Sequence, residues 1–386
     1  MSQKKQLMIF SINFLNKAFI LFFAGLFCLS GCARINKPVA ALILTKNPDA
    51  GINTFHIAVL PVQNLSGAAA PVKDIRQSLI DNFKKQGFDI LEEEILERFM
   101  ARHRVRYTGG IDGVTAQSLK EETMVGAVLI TSLELYDDKY PQKIALTSRL
   151  VSTGDKPTIL WMDSIGIAGD DSPGILGLGL IKDPHALQEK ALQLLTRSLT
   201  CHPSGRHDRI DTRTERKEFW PKISYLSPVM ASGTTYTVTV TPFLNESERK
   251  NAGEIMALHF IRALREHENF NVIEPGIVRE ELLGLRVIME DGVSLANASL
   301  VLGTLNADLV ISGRVLDYQD YQGAEGSPKV DFSVVIIERK SQEIIWASKS
   351  YNKGNDGVFF FDRGKINTAH TMASKMVRNV VEMMIK

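Results

Sequence analysis

The sequence predicts an α/β protein: two tandem α/β sandwich modules, each a mixed sheet with helices packed on it, behind an amino-terminal signal segment. Three observations predict this. Apolar residues switch between strand and helix periods in a fixed order, that order occurs twice, and the longest apolar run lies within the first thirty residues. The chain has 386 residues, 23% charged and 44% hydrophobic, enough for two domains of ordinary size. Lys+Arg 45 against Asp+Glu 44 leaves a net charge of +1. That balance excludes a broad basic face for nucleic acid, and the mixed composition excludes wholesale disorder.

The first module reads as follows. Residues 55–62 alternate and are β-rich, until Pro61 and the Asn64-Leu-Ser66-Gly67 turn end the strand. Ile75, Leu79 and Phe83 then recur at helical spacing over 72–86, one apolar stripe for a sheet face. Gly87 stops that helix, and 88–91 is a short buried strand. Two helices follow, over 93–103 and 114–124. Residues 127–135 read as one continuous, mostly apolar strand, as expected of a central strand covered on both faces. A hairpin of 143–152 and 158–167 turns at Thr153-Gly154-Asp155-Lys156. Asp183 caps a closing helix that has Pro184 in its first turn and runs to 200.

The second module repeats this order. His56-Ile-Ala-Val-Leu-Pro61-Val-Gln-Asn64-Leu-Ser66 matches Thr237-Val-Thr-Val-Thr-Pro242-Phe-Leu-Asn245-Glu-Ser247. Phe88–Glu92 matches Phe270–Glu274, Asp112-Gly113-Val114 matches Asp291-Gly292-Val293, and Ala127–Ser132 matches Ala307–Ser312. Trp161 matches Trp346, and His185 and Lys190 match His370 and Lys375. The offset stays between 179 and 185 throughout, so a tandem duplication is expected. The last helix starts near Asn367 with the stripe His370/Met372/Met376/Val380/Met383. The expected organisation is a signal peptide at 1–31, a tether at 32–53, module 1 at 54–201, a charged linker at 202–233 and module 2 at 234–386. In the linker, the basic residues between Arg206 and Lys217 are nearly balanced by Asp208, Asp211 and Glu215, as in a solvated connection.

The amino terminus is an address. Lys4, Lys5 and Lys17 precede 12 uncharged, mostly apolar residues from Ala18 to Leu29, a layout too short to cross a bilayer and typical of a secretory signal. Leu29-Ser30-Gly31-Cys32 resembles a bacterial lipobox, so Cys32 is the expected lipid-bearing first residue of the mature chain. Ala33, rather than Asp, follows it, and by analogy with enteric sorting this favours the outer membrane, with the protein facing the periplasm. Several acyl chains anchor stably where one does so marginally. A flexible tether over 33–53 reaches about 25 Å. Of the three cysteines, Cys28 leaves with the signal and Cys32 carries lipid, so Cys201 remains alone and no intramolecular disulfide forms.

The opening strand and turn, Ile57-Ala-Val-Leu-Pro61-Val-Gln-Asn64-Leu-Ser66-Gly67, resemble those of the CsgG-like curli-secretion lipoproteins and the TolB amino-terminal domain. So do the strand ending Ser312-Gly313-Arg314-Val315 and the hairpin Lys340-Ser-Gln-Glu-Ile-Ile-Trp346. The resemblance covers most of both modules. It implies an α/β sandwich, and a group whose members include an export pore, exopolysaccharide-secretion lipoproteins and an activator of peptidoglycan synthases. A membrane barrel is not expected here. The hairpins of 143–167 and 329–351 hold only the strands that finish each sheet, and Arg149, Asp163, Asp331 and Lys349 interrupt any lipid-facing band.

No catalytic set, cofactor site or metal site is read from the sequence. Cys201-His202 with His207 lacks a second cluster at zinc spacing. His185 and His370 read as polar contacts at the start of the last helix of each module. Glu92-Glu93-Glu94, Glu97 and Glu280-Glu281, near Arg98, Arg102 and Arg279, read as solvated ion-paired faces. Pro173-Gly174-Ile-Leu-Gly177-Leu-Gly179 matches no phosphate loop. Its Ile175, Leu176 and Leu178, with Phe359, Phe360 and Phe361 in the corresponding loop, are the candidate interaction patch. The expected role is therefore a non-enzymatic lipoprotein, held by membrane lipid through acylated Cys32. It would bind a protein partner or form a homo-oligomer in an envelope export or surface-structure system, without nucleic acid. The alternative is a regulatory module activating a peptidoglycan synthase.

Overall fold

The computed structural model describes residues 56–172, 179–201, 219–227, 234–286, 295–321, 323, 326–358 and 364–385. Module 1 builds β1 (His56–Val59), β2 (Gln63–Asn64), α1 (Val72–Lys85), β3 (Asp89–Ile90), α2 (Glu93–Arg102) and α3 (Gly113–Thr123). It continues with β4 (Ala127–Asp137), β5 (Lys143–Ser152), β6 (Ile159–Ala168) and α4 (Pro184–Cys201). Its strands lie in the order β3-β1-β4-β5-β6, with β2 also against β4. β1 runs parallel to β3 and β4, and the β4-β5-β6 hairpins are antiparallel.

Module 2 begins with an edge strand, β7 (Ile223–Leu226), inside the stretch read as linker. It continues with β8 (Tyr236–Val240), β9 (Leu244–Asn245), α5 (Ala252–Arg265), β10 (Phe270–Val272), α6 (Pro275–Gly284) and α7 (Leu295–Thr304). β11 (Leu309–Gln319), β12 (Lys329–Glu338), β13 (Ile344–Lys353) and α8 (Ala369–Ile385) complete it. The sheet order is β10-β8-β11-β12-β13-β7, with β9 against β11. Apart from β7, this is the order of the first sheet.

Local chemistry repeats as well. The Asn64 side-chain oxygen accepts from Ser66 N (3.0 Å) and Oγ (2.6 Å), and its amide donates to the Ala68 carbonyl (2.8 Å). Asn245 makes the same three bonds with Ser247 and the Arg249 carbonyl. Asp112 caps α3 by accepting from Thr115 N at 2.9 Å, which gives that aspartate a structural task. One register differs from the sequence alignment. Ala127 pairs with Ile57, whereas Val238 pairs with Leu309, so Leu309 and not Ala307 occupies the place of Ala127. The shift is two residues, which keeps every side chain on its face.

The modules are layered. α4 packs on β5 and β6 and against α1, covering one face of the first sheet. Its other face receives α5 and α8 of module 2, which lie in turn on β11, β12 and β13. Val128, Ile130 and Met162 therefore share one core with Ile255, Phe260, Met372 and Met376, and with Val238, Ile311 and Phe332 of the second sheet. Burial follows from the layering. β5 is buried at every residue, while β12 alternates because only one side of its sheet is fully covered. α1 buries five residues on one stripe, whereas α5, between two sheets, buries eleven of fourteen. Both hairpins lie in these sheets. Among the described residues no helix is long and apolar enough to cross a membrane.

Candidate functional site

The chemistry of the described chain gathers where module 2 meets the first sheet. Glu134 lies in the bulge of β4 between Leu133 and Leu135, and β11 has the same irregularity between Val315 and Asp317. Such an extra residue bends the strand and re-aims a side chain. Here it carries a carboxylate into the interior, with the residue 1% exposed. Thr147 of β5 donates to Glu134 Oε1. Oε2 lies 2.6 Å from His370 Nδ1 on α8 and 3.8 Å from His259 Nε2 on α5. His259 Nε2 also stands 3.2 Å from the Tyr318 hydroxyl, and its Nδ1 is 3.1 Å from Ser374 Oγ. The two imidazoles lie 4.7 Å apart at 54°. Gly166 of β6 makes the room, since a Cβ there would stand 2.6 Å from His370 Cδ2.

Electrostatics hold these groups in defined states. Burial alone would raise the Glu134 pKa, but the charge and hydrogen bond of His370, with His259 and Thr147, outweigh it and hold it at about 2. Burial, then the neighbouring charge of His370, push His259 down to about 3 against the pull of Glu134. Burial lifts the Tyr318 hydroxyl well above its ordinary range.

A second buried pair lies on the same face. Arg149 of β5 and Glu274 are both fully buried, with Nη2 to Oε1 at 2.9 Å and Nε to Oε2 at 3.0 Å. Arg149 Nη2 also donates to the Gly109 carbonyl at 2.5 Å. Burial opposes the guanidinium charge, yet Glu274 outweighs it and holds the Arg149 pKa above its ordinary value. Glu274 is the cap residue of α6, as Glu92 is of α2. Glu92 is exposed, whereas Glu274 is buried and pairs with a residue of the first sheet. Gly110 and Gly276 permit the approach: a Cβ on Gly110 would lie 2.7 Å from Gly276 backbone, and one on Gly276 would lie 2.2 Å from Ile111 N. Other cations also cross. Arg262 reaches Asp163 at 3.1 Å, Arg249 donates to the Glu134 carbonyl, Arg265 to the Ile159 carbonyl, and Lys143 to the Tyr321 carbonyl.

Beside this seam opens a small cleft, lined among others by Tyr107, Pro242, Glu254, Leu258, Pro275 and Arg279. Tyr107 donates to Glu254 at 3.0 Å, and Gln63 donates to the same oxygen at 2.8 Å. The Arg279 guanidinium covers the Tyr107 ring at 4.3 Å. Burial, then Glu254, push the Tyr107 hydroxyl pKa up.

Among the sequence-derived candidates, Cys32, Ile175, Leu176, Leu178, Phe359, Phe360 and Phe361 lie outside the described residues, as do His202 and His207. Cys201 is the last residue of α4. His185 is exposed in the first turn of α4. The matched His370 also opens its helix, and its contact there is a buried one, with the Glu134 carboxylate. Arg102 pairs with Glu122 at 2.7 Å, and Arg76 bonds to Glu93. Glu134, His259 and Tyr318 were not singled out from the sequence. A signal for two of them is present: Glu134 is the one charged residue of 127–136, and His259 sits in the apolar run Ile255-Met-Ala-Leu-His259-Phe-Ile261.

No family model matches the chain, and no curated protein does. Similar solved structures include a PelC dodecamer variant from Paraburkholderia phytofirmans, at 17% identity over 42% of this chain and 96% of that one, TM-score 0.30. Lipoprotein GNA1162 from Neisseria meningitidis is similar at 18% identity over 37% of this chain and 98% of that one, TM-score 0.26. The LpoB C-terminal domain from Salmonella enterica is similar at 18% identity over 33% and 87%, TM-score 0.25. Each likeness spans a length near that of one module, and none of them carries an argument about function.

Proposed function

We propose that this chain is a lipid-anchored envelope lipoprotein, acylated at Cys32 and held at the outer membrane facing the periplasm. In this reading its two modules are copies of one CsgG/TolB-type unit. It binds a protein partner or further copies of itself in an export or surface-structure system, and it catalyses no reaction. The observation that carries the reading is the address: a basic start, a 12-residue uncharged run and Leu29-Ser-Gly-Cys32, ahead of a body in which no helix among the described residues is long and apolar enough to cross a membrane. Further support comes from the seam, whose charged groups face one another in the interior. In this reading such groups fix the arrangement of the two modules.

Crosslinking in intact cells, followed by native mass measurement of the detergent-extracted complex, tests the reading. A complex of several copies, or of this chain with an envelope secretion component, is the expected result. A monomer that crosslinks to a peptidoglycan synthase would replace it with the regulatory reading. A monomer that crosslinks to nothing would remove the assembly role.

A further inference from the structure

We propose that Glu134, His259, His370 and Tyr318 form a structural binding site for a divalent cation of the zinc class, which staples module 2 onto the first sheet. The proposal does not depend on the lipid anchor, since a Cys32→Ala chain contains the same four residues.

The donor set is the first argument. One carboxylate and two imidazoles are ligands a borderline cation such as Zn2+ takes, and the Tyr318 hydroxyl, 3.2 Å from His259 Nε2, is the oxygen at hand for a fourth place. Glu134, His259 and His370 each bring a ligand atom within 4.8 Å of the others. Tetrahedral zinc with ligand distances of about 2.0–2.1 Å sets its donors about 3.4 Å apart. The measured edges bracket that value: 2.6 Å from Glu134 Oε2 to His370 Nδ1, 3.2 Å from His259 Nε2 to the Tyr318 oxygen, and 3.8 Å from His259 Nε2 to Glu134 Oε2. Shifts of under about 1 Å bring these three of the six donor–donor edges to the zinc value.

The second argument is the surrounding shell. Metal ligands are normally oriented by partners of their own. Thr147 holds the far oxygen of Glu134, which leaves Oε2 for the centre. Ser374 engages Nδ1 of His259, which leaves Nε2 aimed at Glu134. Gly166 clears the space beside His370, and the bulge at Glu134 turns the carboxylate inward. The four donors come from β4, α5, α8 and β11, so one ion would join both sheets and the two helices between them. With every donor residue buried, the ion would be structural, with no open position for a substrate.

Because the donors are buried, the test supplies metal during folding. The full chain is denatured, stripped with a chelator and refolded with equimolar Zn2+ or Co2+. Bound metal is then counted by elemental mass spectrometry after desalting. The expected result is one ion per chain, a tetrahedral Co2+ absorption band, and a melting midpoint raised by about 5 °C over the metal-free protein. His259→Gln and His370→Gln should lose the ion, while His185→Gln, on the exposed start of α4, should keep it. Tyr318→Phe guards against variants that fail to fold. It retains the ring and should weaken binding by about tenfold or more and alter the cobalt spectrum. A refolded wild-type chain that holds no metal overturns the proposal. So does binding unchanged in folded His259→Gln and His370→Gln, or a Tyr318→Phe variant with the wild-type affinity and spectrum.

Discussion

Arg149→Leu removes one half of the fully buried pair with Glu274 and leaves a carboxylate in the interior. The remaining local support for Glu274 is the Gly276 N–H, 3.4 Å from Oε1. Breaking such a pair from one side costs about 3–5 kcal/mol, most of it the penalty of the uncompensated charge. An unfolding entropy of about 2.1 cal/mol/K per residue over 56–385 gives on the order of 0.7 kcal/mol/K. The melting midpoint should therefore fall by roughly 4–7 °C. Replacing both residues, Arg149→Leu with Glu274→Leu, removes the stranded charge and should recover much of the loss. Urea unfolding followed by tryptophan fluorescence is the assay, because Trp161 and Trp346 are buried in the first and second sheets respectively. The double-mutant cycle then isolates the coupling between the modules. A loss below about 1 kcal/mol for Arg149→Leu, or a double variant less stable than the sum of the single losses, would refute the reasoning.

Two further outcomes follow from the same structure. Gly276→Ala puts a methyl 2.2 Å from Ile111 N and should destabilise by about 2 kcal/mol or more, whereas Gly284→Ala, with nothing within 4 Å, should be neutral or slightly stabilising; chemical denaturation separates the two. Asp317 and Asp331 face each other across β11 and β12, and burial raises both pKa values. A carboxyl whose folded pKa lies above its unfolded one stabilises in full only below the unfolded value, and that contribution is lost as pH rises through the folded pKa. Asp331→Asn should therefore be more stable than wild type at neutral pH, by about 0.5 kcal/mol, with the gain shrinking as pH falls through the carboxyl range. A gain that grows on acidification, read from urea midpoints across pH, would contradict the assignment.

The elements were legible where local signals agree with global packing. The continuous run of 127–135 announced a doubly covered strand, and β4 is buried from Ala127 through Leu135. The Asn64 and Asn245 turns announced themselves by residue type, and both form. The seam was not legible, because it joins residues far apart in sequence whose pairing depends on how the modules stack. Arg149 reads from the sequence as a charge interrupting an apolar band, but nothing local points to Glu274. Glu134 and His259 were signalled only as polar residues in apolar runs, and a period count gives no partner for either. The strand at Ile223–Leu226 was hidden by its charged, Pro- and Ser-rich flanks and by its edge position, where Ile223 and Tyr225 stay exposed.

The measurement that bears most directly on the central claim is the mass of the amino-terminal peptide released from the membrane-extracted protein. The expected peptide begins at Cys32 and carries diacylglycerol on its sulfur. A peptide beginning at any other residue, or an unmodified Cys32, would contradict it.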